Sequence, residues 1–125
     1  MILVVEDDSV LIDLLLLQLK HLGFEATAAA NGLEAVELVK RFDYSLIFMD
    51  VALPETDGLK ATRLIREYET RNGKKRVHII ALTGQAERPE CLEAGMDDFI
   101  AKPAKLADLQ AVLSRWLAAP PSVPA

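Results

Sequence analysis

The sequence predicts an α/β fold: a doubly wound, five-stranded parallel sheet with helices on both faces and a shortened fourth helix. Three observations carry this. Unbroken apolar runs, such as Ile2-Leu3-Val4-Val5 and Ser45-Leu46-Ile47-Phe48-Met49, read as strands buried on both faces. Stretches with helical periodicity lie between them. Strand and helix alternate throughout a chain of 125 residues, the length of one domain.

The elements follow in order. Residues 2–5 form the first strand. Ser9 can cap a first helix over 10–22, and Gly23 stands where a left-handed C-terminal cap is wanted. Residues 24–29 are extended and weakly patterned, and Asn31-Gly32 opens a second helix with a stripe of Leu33, Val36, Leu38 and Val39. The next buried strand stops at Asp50. A loop containing Pro54 ends at Asp57-Gly58, before a third helix over 59–70. Residues 77–82 form the fourth strand, 98–101 the fifth, and 106–117 a last amphipathic helix. Pro89 leaves only 90–94 for the fourth helix. The folded domain is expected over 1–118, and the Pro- and Ala-rich stretch 119–125 is expected to be a linker or tail.

Composition narrows the function classes. Hydrophobic residues are 51% and charged residues 26%, so the chain has enough apolar surface for a core. A net charge of −5 argues against binding nucleic acid. Cys91 is the single cysteine, which excludes an internal disulfide and suits a reducing, cytoplasmic setting. No apolar run approaches the ~18 residues a membrane span needs, so no membrane contact is expected. Met1 leads straight into the first strand, and no signal segment is expected either.

Right-handed crossovers place every strand's carboxyl end along one edge, where function collects in such sheets. Past the first strand come Glu6, Asp7 and Asp8; then Asp50, Thr83 and Lys102 past the third, fourth and fifth. Like charges ~4 Å apart cost about 1 kcal/mol in water and about 4 at an effective dielectric near 20. An all-oxygen acid set relieves this by holding Mg²⁺ (or Mn²⁺). Singly, Thr83 reads as a helix cap and Lys102 as a surface lysine. Together with the acids they make a cage for an oxyanion. An aspartate can accept a phosphoryl group, and Asp50, on the central strand, is the natural acceptor.

These residues sit in the motifs VVEDD (4–8), MDVALPETDG (49–58), ALTG (81–84) and AGMDDFIAKP (94–103). In that order and spacing they resemble the receiver domains of two-component response regulators, over about residues 1–118. The resemblance implies a flavodoxin-like sheet of order 2-1-3-4-5. It implies phosphorylation of Asp50, with Asp7 and Asp50 ligating the metal directly, Glu6 acting through water, and the Ala52 carbonyl completing the protein ligands. Thr83 would be the switch hydroxyl and Lys102 would pair with a phosphoryl oxygen. The bond to Pro103 would be cis, and Phe99 would be the aromatic that rotates as Thr83 moves. Phe99 reads equally as a plain core aromatic. The dianion added to Asp50 would draw Thr83 and Lys102 toward it and remodel the face of the fourth helix, fifth strand and fifth helix.

The wording of the second and fourth motifs looks most like receivers attached to hybrid sensor histidine kinases. Such a module is a phosphoacceptor rather than a conventional enzyme. A stand-alone single-domain regulator and a non-phosphorylated pseudo-receiver are the alternatives. A haloacid-dehalogenase-type phosphatase would need a second aspartate at the position of Ala52, and a flavodoxin-like FMN site would not tolerate Glu6-Asp7-Asp8. The implied partners are the dimerisation helices of a histidine kinase or a histidine phosphotransfer domain. A homodimer is a further candidate.

The stretch from Thr83 to Lys102 is shorter than the family usually carries, which puts output through that face in doubt. Gly84 stands where the family mostly has alanine. Ala52 offers no side chain to orient an attacking water, a task Gln85 could take. The first helix is unusually apolar: Leu11, Leu14, Leu15, Leu19 and Leu22 supply a core stripe. Ile12, Leu16 and Leu17 then lie largely off it, either as part of a broad buried stripe or as a docking stripe for the donor's helices. His21 and His78 lack partners at metal-ligand spacing. The run Arg71, Lys74, Lys75, Arg76 reads as a solvated turn, or as a guide for an acidic partner.

Overall fold

The computed structural model describes residues 1–51, 58–83 and 88–117. Its elements are β1 (Ile2–Val5), α1 (Ser9–His21), β2 (Ala26–Ala29), α2 (Gly32–Arg41), β3 (Leu46–Asp50), α3 (Gly58–Asn72), β4 (His78–Thr83), α4 (Arg88–Ala94), β5 (Asp98–Ala101) and α5 (Leu106–Trp116). All strand pairings are parallel and the order is β2-β1-β3-β4-β5. The expected sheet, order and helix count all stand. The boundary at 118 and the tail 119–125 lie outside the described residues.

Period-two alternation divides the core between the two faces. Leu3, Val5, Ile47, Met49, Ile79 and Ala81 point to the side covered by α2, α3 and α4. Ile2, Val4, Leu46, Phe48, Ile80 and Leu82 point to the side covered by α1 and α5. The three central strands therefore have no polar face, which is why they appear in sequence as unbroken apolar runs.

Helix ends follow local chemistry, with one correction. Asp8, not Ser9, caps α1: its Oδ1 accepts the N–H groups of Val10 (2.9 Å) and Leu11 (3.4 Å). The helix consequently starts one residue early, and Asp8 is spent on its dipole. Gly23 ends the helix at φ 92°, as expected. Asn31 caps α2 through Glu34 N–H (2.8 Å), and Glu34 returns a bond to Ala30 N–H (3.1 Å). α4 has seven residues and begins at Arg88, two positions before the expected start. Pro89 thus falls in its first turn, where a missing N–H costs no helical bond.

The facing of α1 also differs from expectation. Leu15 and Leu19 are buried, Leu16 and Leu22 pack partly against the α1–α5 core, and Ile12 is half-buried. The inward stripe is therefore 15-16-19-22. Leu11 and Leu14, expected inside, are exposed, and so are Val10 (72%) and Leu17 (65%). Leucine at most positions supports either frame of the helix equally, so periodicity could not choose between them.

Candidate functional site

The pairings bring the predicted residues to one edge in register. Val5, the last residue of β1, lies beside Met49 of β3 and Ala29 of β2, so Glu6 emerges next to Asp50. Asp50 ends β3 opposite Leu82, and Thr83 ends β4 opposite Ala101. Lys102 follows directly, its N–H donating to the Thr83 carbonyl at 3.0 Å. Four strand ends thus deliver two carboxylates, a hydroxyl and an ammonium to one crevice.

Glu6, Asp7 and Asp50 each place a carboxylate oxygen within 4.8 Å of the others. Asp7 is exposed, whereas Glu6 and Asp50 are only 3% and 2% exposed. Lys102 Nζ reaches Asp50 Oδ1 at 2.6 Å, a charge-assisted bond to a buried acid. Glu6 Oε2 accepts the Asp7 N–H at 2.8 Å. Burial, then hydrogen bonds to Asp50 and Asp7 and the Asp50 charge, push the Glu6 carboxyl up to about 7 against the pull of the Asp7 N–H. One ammonium does not relieve three crowded acids. A hard divalent cation held by oxygen ligands would do so, and the donor set fits one. Asp8 faces away as the α1 cap, so it drops out of the expected acid cluster.

The crevice holds a buried carboxylate, two further acids grouped with it closely enough to share a cation, and a buried threonine and a lysine beyond them. The model of the response regulator receiver domain family matches residues 2–114. The chain belongs to that family. It is a receiver domain of two-component phosphorelay signalling.

The hybrid signal transduction protein dokA of Dictyostelium discoideum is 37% identical over 116 residues, covering 93% of this chain. This chain spans only 7% of that relative's length. The receiver domain of sensor histidine kinase PA1611 from Pseudomonas aeruginosa PAO1, with a magnesium ion in its active site cleft, is 46% identical. Its TM-score is 0.82, over 92% of this chain and 94% of that one. The Saccharomyces cerevisiae receiver of Ssk1, crystallised with the histidine phosphotransfer protein Ypd1, is 33% identical with a TM-score of 0.87. That match covers 92% of this chain and 86% of that one.

In this receiver domain the Lys102–Pro103 bond is cis, as expected. Phe99 is half-buried against the α2–α4 side of the core. Ala52, Gly84 and Gln85 lie outside the described residues.

Sequence reasoning missed Gly58. A Cβ built there would meet the Asp50 carbonyl oxygen at 2.2 Å, so the start of α3 lies directly against the Asp50 backbone. Thr62 holds this turn, its hydroxyl donating to the Gly58 carbonyl at 2.8 Å. The only signal was Asp57-Gly58 before a helical stretch, which reads as an ordinary turn.

The expected docking residues are corrected in part. Leu17 is exposed and Ile12 is half-buried, but Leu16 packs partly against the core. The apolar strip that faces outward is Val10, Leu11, Leu14 and Leu17. Leu11 and Leu14 also line a hollow of about 330 Å³ that continues to Lys102 and Pro103.

Proposed function

We propose that Asp50 is the phosphoacceptor of this receiver. The observation that carries the reading is a buried carboxylate bonded to Lys102 at 2.6 Å inside a three-acid cluster. An Asp50 carboxylate oxygen attacks the phosphorus of a phosphohistidine. The N–P bond breaks, the imidazole leaves with its electron pair, and an acyl phosphate remains on Asp50. Lys102 neutralises a phosphoryl oxygen and Thr83 donates its hydroxyl to another. Glu6, Asp7 and Asp50 would hold Mg²⁺ (or Mn²⁺), joined by the Ala52 carbonyl. A bound ion supplies charge neutralisation at the phosphoryl oxygens.

Pulling Thr83 toward the acyl phosphate shifts β4, with Phe99 and the Lys102-Pro103 turn as the groups that register the change. The module is not a conventional enzyme: it accepts and loses its own phosphoryl group. Its donor or recipient is a histidine phosphotransfer domain or a histidine kinase's helical bundle. This is supported by the likeness to the Ypd1-bound Ssk1 receiver and to hybrid kinases. The apolar strip of α1 beside the crevice is the surface for that helix-on-helix contact. A place within a cytoplasmic hybrid kinase fits the relatives and the buried Cys91, which is in no disulfide.

The test is intact mass after incubation with acetyl phosphate and Mg²⁺. One phosphoryl adduct is expected, absent with EDTA and absent in Asp50→Asn. An adduct that persists in the folded Asp50→Asn protein would overturn the assignment.

A further inference from the structure

The pole of the sheet opposite Asp50 carries the reverse charge. There, two adjoining hollows of about 200 and 620 Å³ share Asp43, Tyr44, Lys74, Lys75 and Val77 in their walls. Lys40 and Arg41, from the end of α2, join the smaller hollow, and Arg76 joins the larger. Five cations thus gather on one pole of a chain whose net charge is −5.

Local acids leave much of this charge unanswered. Arg76 is bound to Asp97 at 2.8 Å and Lys40 approaches Glu37 at 3.8 Å. Among the described residues, Arg41, Lys74 and Lys75 have no ion pair within 4.0 Å. Glu69 lines the smaller hollow, but its carboxylate is taken by Arg66 and by the Val77 N–H. Asp43 is the remaining acid in the walls.

The walls are not only charged. Phe42 is 57% exposed, Tyr44 and Tyr68 are half-buried around the smaller hollow, and Trp116 lines the larger. Concave shape, lysines outside any ion pair, and an exposed ring beside half-buried ones together suit a chain that brings carboxylates and an apolar side chain. A nucleic-acid duplex brings about one charge per 1.7 Å of its axis and needs an extended cationic face. This protein, acidic elsewhere, does not offer one.

We propose that this basic, ring-lined groove is a second interaction surface of the receiver and binds an acidic protein segment carrying an apolar or aromatic anchor. The groove is separated from Asp50 by the length of β3, roughly 15 Å at ~3.3 Å per residue. That exceeds the screening length of about 8 Å at physiological salt. Binding there is compatible with phosphoryl transfer at the opposite pole and independent of it.

The probe is the octapeptide Glu-Glu-Leu-Glu-Glu-Phe-Glu-Glu, and the reporter is Trp116, the single tryptophan. Titration into the whole chain is expected to give a saturable change in its emission. Binding should weaken about tenfold in Lys74→Glu/Lys75→Glu and in Arg41→Glu, and weaken as salt rises. Phosphoryl uptake at Asp50 by intact mass should stay unchanged in both variants. Circular dichroism checks that each is folded. Three results would overturn the proposal: no saturable change, equal binding of the peptide with Gln for Glu, or a 20-base-pair DNA duplex binding more tightly than the peptide.

Discussion

At the residue scale, the sharpest constraint on the crevice is a missing side chain. Gly58→Ala would set a Cβ 2.2 Å from the Asp50 carbonyl oxygen and 2.9 Å from Val51 Cα. Both parties to the contact are backbone, so the end of β3 or the start of α3 must shift. Gly58→Ala is expected to cut phosphoryl uptake from acetyl phosphate at least tenfold while also lowering stability. Gly73→Ala is the control. Its Cβ would meet nothing within 4 Å, and only its φ of +61° is unfavourable. It should cost about 1 kcal/mol in urea unfolding and leave uptake unchanged. Equal uptake in the two variants would remove Gly58 from the account. The sequence made the chemical residues readable because each stands just past an apolar run. It could not reveal Gly58, because close approach between distant backbones leaves no local pattern.

At the element scale, α3, the start of β4 and the turn before β5 are clasped by one arginine. Arg66 donates to Glu69 (2.8 Å), the Val77 carbonyl (2.7 Å), the Gly95 carbonyl (2.9 Å) and Asp97 (2.8 Å). Glu69 and Asp97 in turn accept the N–H groups of Val77 and Ile79. Arg66→Met strands Glu69 without its cation and leaves Asp97 to Arg76 alone, so a loss of about 3–5 kcal/mol is expected. Arg66→Lys should recover little, because a point charge cannot span four acceptors. A lower urea midpoint with an unchanged slope is the readout.

α1 offers a second test at this scale, since one face packs on the core and the other is the proposed docking strip. Leu14→Glu/Leu17→Glu falls on the outward strip and should change stability by less than about 0.5 kcal/mol. It should slow transfer from a phosphorylated histidine phosphotransfer protein at least tenfold, with acetyl phosphate uptake intact. Leu16→Glu, which packs partly on the core, should instead cost about 1–3 kcal/mol. Normal transfer to the double variant would remove the docking strip. Strand limits were legible to within a residue or two because burial on both faces forces apolar runs. The facing of α1 was not, since its leucines fit two stripes and only the packed partners choose.

At the scale of the whole molecule, charge is split between two poles, and folding sets acids against one another at the Asp50 end. Glu6 has an ordinary carboxyl near 4.5 in the unfolded chain and about 7 in the folded, metal-free protein. Below pH 4.5 it is protonated in both states, and its contribution to stability is fully present. As pH rises toward about 7, the unfolded chain releases this proton first, so stability is lost across that window and stays lost above it. In EDTA, the wild type should therefore fall relative to Glu6→Gln between pH 5 and pH 8, measured by urea unfolding. Mg²⁺ is expected to act in the opposite sense, because an ion held by the acid cluster would bind the folded state and favour the ionised acid. Its apparent affinity, followed by titration calorimetry, should rise about tenfold from pH 6 to pH 8. The thermal midpoint should climb with Mg²⁺ more steeply at the higher pH. A flat difference between wild type and Glu6→Gln in EDTA would mean that Glu6 is already ionised beside Asp50. The acid pole would then carry its repulsion unrelieved at neutral pH, and the demand for a cation would be larger.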